Sequence, residues 1–429
     1  MTYQETVEYL FSLLPAYHRM GKPAYKGNLD NTIELDRYFG HPHTRFRSVH
    51  VAGTNGKGSV SHMTASVLQE AGYRTGLYTS PHLKDFRERI KIDGEMIPEE
   101  EVTGFVERHN GIINRIKPSF FELTVALAFD YFARMNVDIA VIEVGMGGRL
   151  DSTNIITPIL SVITNIGHDH MEFLGRTLGA VAGEKAGIIK EGVPVVIGET
   201  QPETRDVFLR KSETLHAPIT FADNRFRCRL GRIFPDSSMR RFTLTGLDDG
   251  VTMRGETPLG GLAQKKNLQT AAAVAETLSA GHGLSREHFL RGVAGVVYNT
   301  GLMGRWQILS RSPLTVCDTG HNREGLEYVM RQVRATAKEN LHMVIGFVND
   351  KDLGSVLPLF PRDAIYYFTR ASIPRALDEN LLKTAAGEYG LVGRAYPSVR
   401  EAVAAARAVA GQHDMIYIGG STFVVAEAL

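Results

Sequence analysis

The chain reads as an α/β protein in which a P-loop-type, mostly parallel sheet domain precedes a smaller Rossmann-like α/β domain. Three observations predict this. Short apolar runs alternate with helical patterns from about residue 48; a glycine-rich turn with one lysine joins a strand to a helix at residues 53–59; and a second strand–helix series starts near residue 300. A length of 429 residues exceeds what one core normally holds, so the expected domains are residues 1–299 and 300–429.

Each element follows from its pattern. Residues 48–52, 139–144 and 159–163 are short continuous apolar runs, as expected of strands buried on both faces. Helical segments are expected over residues 57–69, 98–114, 121–135 and 177–190. Residues 225–262 are richer in Arg, Gly and Thr and read as a peripheral antiparallel piece, followed by a long helix over residues 265–280. Beyond the turn-rich segment around residue 300, strands are expected at residues 314–317, 343–346, 365–368 and 415–418. No internal repeat or low-complexity tract stands out.

Composition narrows the function. Hydrophobic residues at 43% and charged residues at 22% are ordinary for a globular chain, and 48 basic against 47 acidic side chains advertise no nucleic-acid partner. Cys228 and Cys317 lack CxxC or metal-ligand spacing and suit a reducing compartment as small buried residues. The N-terminus lacks the basic-then-apolar pattern of a secretory leader. The most apolar segment, residues 120–132, is interrupted by Glu122 and Asp130, against a membrane span. The expectation is a cytoplasmic monomer with small-molecule substrates and no nucleic-acid or membrane partner.

The strongest local signal is Gly53-Thr54-Asn55-Gly56-Lys57-Gly58-Ser59 between a strand and a helix. Its glycines allow a tight loop with inward-facing N–H groups, the helix N-terminus adds positive potential, and Lys57 supplies a charge for the outer phosphates. The spacing departs from the common phosphate loop, because Gly58 stands where Ser or Thr would hold magnesium and the hydroxyl arrives at Ser59. A structural turn with a solvated lysine would not explain so many glycines beside one lysine.

This loop resembles that of the folylpolyglutamate synthase/dihydrofolate synthase family, a branch of the Mur ligase superfamily. The resemblance continues in order through Thr79-Ser80-Pro81-His82, Glu88-Arg89-Ile90, the run from Val144 to Asn154, Asp169-His170, Leu174-Gly175, Glu184-Lys185-Ala186-Gly187-Ile188, Gly304-Arg305-Trp306-Gln307 and Asp318-Thr319-Gly320-His321-Asn322. It implies an ATP-binding ligase domain of the Mur central type over residues 1–299 and a glutamate-ligase domain over residues 300–429. The implied reaction joins L-glutamate to dihydropteroate and/or (tetrahydro)folate polyglutamates. ATP first phosphorylates the acceptor carboxylate, and the glutamate amine then displaces phosphate.

Site residues follow from both routes. Glu143, a lone carboxylate ending an apolar strand, is placed for a metal near the phosphate loop, though a helix cap or ion pair would also use it. By resemblance Glu143 and Ser80 bind one magnesium and His170 a second metal; His168 reads as a hydrogen-bonded loop residue. Lys185 shares an apolar stripe with Leu178, Val181 and Ile188, so it either snorkels outward or is held for a purpose. The resemblance implies that it is carbamylated. It also implies that Asp318 contacts the ribose with His321 nearby, that Arg305 reaches the ATP phosphates, and that Asn267 lies near the adenine; a cap for Asn267 and a surface ion pair for Arg305 stay open. Asp318-Thr319-Gly320-His321-Asn322 departs from the family's usual second and third residues. Residues 120–132 read as core, whereas the loop after Ser80 and residues 147–154 are the implied pterin contacts. The rival readings are a Mur-type ligase acting on a peptidoglycan precursor and a non-catalytic nucleotide-binding regulator.

Overall fold

The computed structural model describes residues 1–13, 28–168, 171–233 and 238–429. The chain divides into two units. The first comprises residues 1–231, 241–257 and 265–301, and the second comprises residues 232–240, 258–264 and 302–429. Two short excursions inside the expected first domain, residues 232–240 and 258–264, group with the second unit.

The first unit is built on an eight-stranded sheet of β1 (Arg47–Ala52), β2 (Thr75–Tyr78), β3 (Ile90–Ile92), β4 (Glu95–Met96), β5 (Ile139–Glu143), β6 (Leu160–Ile163), β7 (Val195–Ile197) and β8 (Ile219–Phe221). Their order is β4-β3-β2-β5-β1-β6-β7-β8, parallel from β2 to β8 with β3 and β4 antiparallel at one edge. The central strands are apolar and almost wholly buried because helices cover both faces. Val51 faces Glu143 in register and His50 faces Ile142, so Glu143 and His50 point to opposite sides of the sheet.

The helix Lys57–Glu70 starts at Gly56 and crosses the helix Arg286–Thr300 closely: a Cβ on Gly292 would lie 2.6 Å from Val67 Cα, and Ser66 Oγ donates to Gly292 O at 2.6 Å. On the other side, the helix Phe120–Arg134 is core, as its apolar circumference implies. Phe120, Phe129 and Phe132 are buried, and each such burial is worth about 1.5–3 kcal/mol. Glu122, which breaks the apolar run, closes a capping box with Ser119.

Other elements depart from expectation. Residues 98–114 form two helices, Glu99–Arg108 and Asn110–Ile116, broken at His109 (φ −110°, ψ 14°). Asn110 and Gly111 are poor helix formers, and the His109 ring packs against Phe39 and Phe105. The expected helix at residues 177–190 spans Leu178–Lys185, capped by Thr177, and tightens into a 3-10 turn at Ala186–Ile188. Residues 225–262 hold a three-stranded antiparallel sheet, β9 (Phe226–Ile233), β10 (Arg240–Gly246) and β11 (Thr252–Thr257), in the order β11-β10-β9. The long helix after it runs Gln264–His282.

The second unit has a six-stranded sheet of β12 (Gln307–Arg311), β13 (Leu314–Asp318), β14 (Leu341–Ile345), β15 (Ile365–Thr369), β16 (Gly393–Tyr396) and β17 (Met415–Gly419), ordered β12-β13-β17-β14-β15-β16. All pairings are parallel except β12 with β13. Clusters around Met330 and Tyr366, and around Val403 and Ile418, make its core. Among the described residues, no helix is long and apolar enough to cross a membrane.

Candidate active site

The glycine loop leaves the C-terminal end of β1, the edge where open α/β sheets bind ligands. Its shape requires glycine at two positions. Gly53 has φ +147°, and a Cβ there would lie 1.8 Å from Thr164 Oγ1; Gly56 has φ +87°, and a Cβ would lie 2.4 Å from Asn267 Oδ1. The residues after β6 hold the loop. Thr54 N donates to Asn165 O at 3.0 Å, Asn55 N to Asn165 Oδ1 at 2.8 Å, Thr164 Oγ1 to Asn55 O at 2.6 Å, and Gly167 N to Thr54 Oγ1 at 3.0 Å. Sequence reading missed Thr164 and Asn165, although polar residues directly after a buried strand carry the same edge signal as Glu143.

Lys57 folds back over the loop and donates to Gly53 O (2.9 Å) and Thr54 O (3.2 Å). Ser59 is buried in the first helical turn next to Gly58. Lys185 does not snorkel. It is 4% exposed, and its Nζ donates to Gly53 O at 3.0 Å, so the amines of Lys57 and Lys185 share one loop carbonyl. That reach depends on close backbone packing: a Cβ on Gly148 would lie 2.8 Å from Glu184 O, one on Gly187 would lie 2.4 Å from Arg149 Cα, and Arg149 N donates to Glu184 O.

Glu143, 4% exposed, ends β5 beside β1, and its Oε2 accepts the N–H of Ser80 at 3.2 Å. The two residues matched to one metal are therefore neighbours. The chain then turns through a cis Ser80-Pro81 bond. The buried Arg89 donates from Nε to His82 Nδ1 at 2.7 Å and stands over the Phe120 ring, while Glu88 accepts the N–H groups of Leu83, Lys84 and Asp85. Burial holds the Arg89 guanidinium down at about 10.

Beneath residues 145–154 runs a buried chain: His50 Nε2 bonds Thr153 Oγ1 at 2.8 Å, and Thr153 Oγ1 bonds Asp151 Oδ1 at 2.5 Å. Asp151 Oδ2 accepts Met146 N, which fixes the glycine-rich turn. Burial raises the Asp151 carboxyl above its ordinary range and lowers His50 to about 3, so His50 is neutral. Asn267, in the first turn of its helix, is no N-cap; its amide packs against Gly56. His170 and Asp169 lie outside the described residues. His168 is exposed and follows Gly167 directly.

In the second unit, the two motifs that flank the antiparallel pair β12–β13 meet. Asp318 accepts Trp306 N at 2.7 Å and Gly320 N at 2.8 Å, while Thr319 donates from both N and Oγ1 to Gly304 O. Burial raises the Asp318 carboxyl, and the nearby Arg305 charge opposes that rise. Arg305 Nη1 lies 3.5 Å from Gly304 O, His321 Nδ1 bonds Thr319 O at 3.0 Å, and Asn322 caps the helix Arg323–Thr336.

A glycine-rich loop on a parallel sheet, backed by a buried lysine and a strand-end carboxylate and followed by a second α/β unit, is the arrangement expected of an ATP-dependent ligase of the Mur type. Residues 51–275 match the Mur ligase middle domain and residues 304–422 the Mur ligase glutamate ligase domain. The chain is 34% identical to the dihydrofolate synthase/folylpolyglutamate synthase of Bacillus subtilis over 84% of each chain. It is 32% identical, over its whole length, to a probable bifunctional folylpolyglutamate synthase/dihydropteroate synthase of Haloferax volcanii, of which it spans 50%. Among solved structures it is similar to Escherichia coli FolC in complex with DHPP and ADP (TM-score 0.84, 26% identity, 100% of this chain and 97% of that one). It is also similar to a bifunctional folylpolyglutamate synthase/dihydrofolate synthase with Mn, AMPPNP and L-glutamate bound (TM-score 0.83, 25% identity, 100% and 97%). The chain belongs to the folylpolyglutamate synthase/dihydrofolate synthase family, and it is an ATP-dependent C–N ligase of folate metabolism.

Proposed function

We propose that this chain adds L-glutamate to dihydropteroate, to (tetrahydro)folate polyglutamates, or to both, through an acyl phosphate, with ATP and two magnesium ions, as a cytoplasmic monomer. The observation that carries the reading is the buried Lys185 amine on Gly53 O, in a loop whose glycines leave no room for a Cβ. The residues fit a metal–nucleotide: Glu143 is a buried carboxylate beside the Ser80 backbone at the ligand-binding edge of the sheet. In this reading Glu143 and Ser80 hold one magnesium and His170 the second. Bound magnesium neutralises phosphate oxygens.

The helix N-terminus after Gly56 turns backbone N–H groups to the phosphates, and Lys57 leaves its loop carbonyls to meet the outer phosphate. Once deprotonated, the Lys185 amine bonds to the carbon of carbon dioxide and releases a proton. The resulting carbamate keeps one N–H for Gly53 O while setting a carboxylate further into the site. Asn267 lies on the nucleotide side of Gly56, and Arg305, Asp318 and His321 are the second unit's candidate nucleotide contacts. The bonded carboxylate of Asp318 retains lone pairs for ribose hydroxyls. The Ser80 loop and residues 147–154 receive the pterin.

The test is phosphate release from ATP and magnesium with glutamate present, comparing added dihydropteroate, added tetrahydrofolate and neither. The expected result is release that requires a pterin acceptor, with the better acceptor distinguishing first-glutamate addition from chain extension. Release that ignores both acceptors, or ATP binding with no release, contradicts the proposal.

A further inference from the structure

Asp36 lies in the last turn of the helix Asp30–Tyr38, and the chain then reverses through Gly40 (φ +69°) and His41 (φ +54°) into a single 3-10 turn, Pro42–Thr44. The reversal brings two imidazoles onto one carboxylate. His41 Nδ1 lies 2.6 Å from Asp36 Oδ2, and His43 Nδ1 lies 2.6 Å from Asp36 Oδ1. One ligand atom from each of the three residues falls within 4.8 Å of the others. The backbone is fixed as well: His41 N donates to Asp36 O at 2.8 Å, and Thr44 Oγ1 donates to His41 O at 2.7 Å.

We infer that Asp36, His41 and His43 form a binding site for one divalent transition-metal ion, of the zinc and cobalt class. Two imidazoles and a carboxylate select such ions over magnesium, which prefers oxygen ligands and several waters. Bonds of about 2.0–2.2 Å in tetrahedral geometry place ligand atoms roughly 3.4 Å apart. The 2.6 Å hydrogen bonds must therefore open by less than about 1 Å as each Nδ1 exchanges its proton for the metal and the ring carries N–H at Nε2 instead. The exposures suit this. Asp36 is 8% and His43 17% exposed, which holds two ligands in place, whereas His41 at 56% can swing and leave a position for water.

The site is separate from the glycine loop. It precedes the N-terminal end of β1, whereas the loop follows the C-terminal end, six residues or roughly 20 Å of strand away. An ion here ties the helix Asp30–Tyr38 to the turn Pro42–Thr44, both of which pack on the helix Phe120–Arg134. Because the ligands converge only when the chain is folded, its effect is on stability.

The test is cobalt(II) titration of the full chain after removal of metals by chelation, read by visible absorbance and by the unfolding temperature. The wild-type chain is compared with His41→Gln and with the double variant His41→Gln/His43→Gln. The expected result is one ion fewer per double-variant chain, a loss of at least tenfold in affinity for His41→Gln, and a cobalt-induced rise in unfolding temperature that is larger for wild type than for the double variant. Equal unfolding temperatures of the stripped proteins establish that the variants fold. Equal cobalt stoichiometry in wild type and double variant, or no cobalt bound by wild type at micromolar concentration, overturns the inference.

Discussion

The glycine loop of the first unit and the Asp318 turn of the second are both strand-end turns, yet opposite means hold them in shape. The loop depends on side chains from distant elements: Thr164 and Asn165 after β6, Lys185 on one helix and Asn267 on another. The Asp318 turn is held by its own carboxylate and by residues 304–306 within the same unit. The loop has thus surrendered local self-sufficiency. Its backbone is steadied from outside, through Asn165 on the N–H groups of Thr54 and Asn55 and Lys185 on the carbonyl of Gly53, which leaves the helix N-terminus after Gly56 to receive an anion.

The largest expected effect comes from removing a glycine. Gly56→Ala puts a Cβ 2.4 Å from Asn267 Oδ1 at a φ of +87°, and phosphate release should fall by about 10²–10³-fold with the circular dichroism spectrum unchanged. Adding Asn267→Gly relieves the clash but not the backbone strain, so recovery should be partial. Full recovery would show that sterics alone set the loop. A smaller effect is expected at the other turn. Asp318→Ala leaves the N–H groups of Trp306 and Gly320 without their acceptor and should cost on the order of 2–4 kcal/mol in chemical denaturation. A loss of ATP affinity without that destabilisation would break the comparison, because the carboxylate would then serve the ligand rather than its turn.

The same contrast explains what could be read from the sequence. Gly53–Ser59 was legible because positive φ and close approach demand glycine locally. Lys185 stood out as a charge on an apolar stripe, and burial rather than snorkelling resolves its two readings. Thr164 and Asn165 carried a local signal, polar residues directly after a buried strand, but their partners lie more than a hundred residues away in sequence, which no local pattern names. The break at His109 was hidden because the apolar spacing continues on both sides of it. β7 and β8, at three residues each, were too short to signal. The excursions at residues 232–240 and 258–264 belong with the second unit only through tertiary packing.

The central claim is that the buried Lys185 amine on Gly53 is part of the phosphate-transfer site rather than a structural peg. Lys185→Met keeps the length and buries well, so it separates the two roles. The deciding measurement is acceptor-dependent phosphate release by this variant alongside its unfolding temperature. The account predicts a loss of at least about 10²-fold in kcat with the unfolding temperature kept within a few degrees. Turnover near that of the wild type would contradict it, because the site would then work without the amine that the fold buries against its loop.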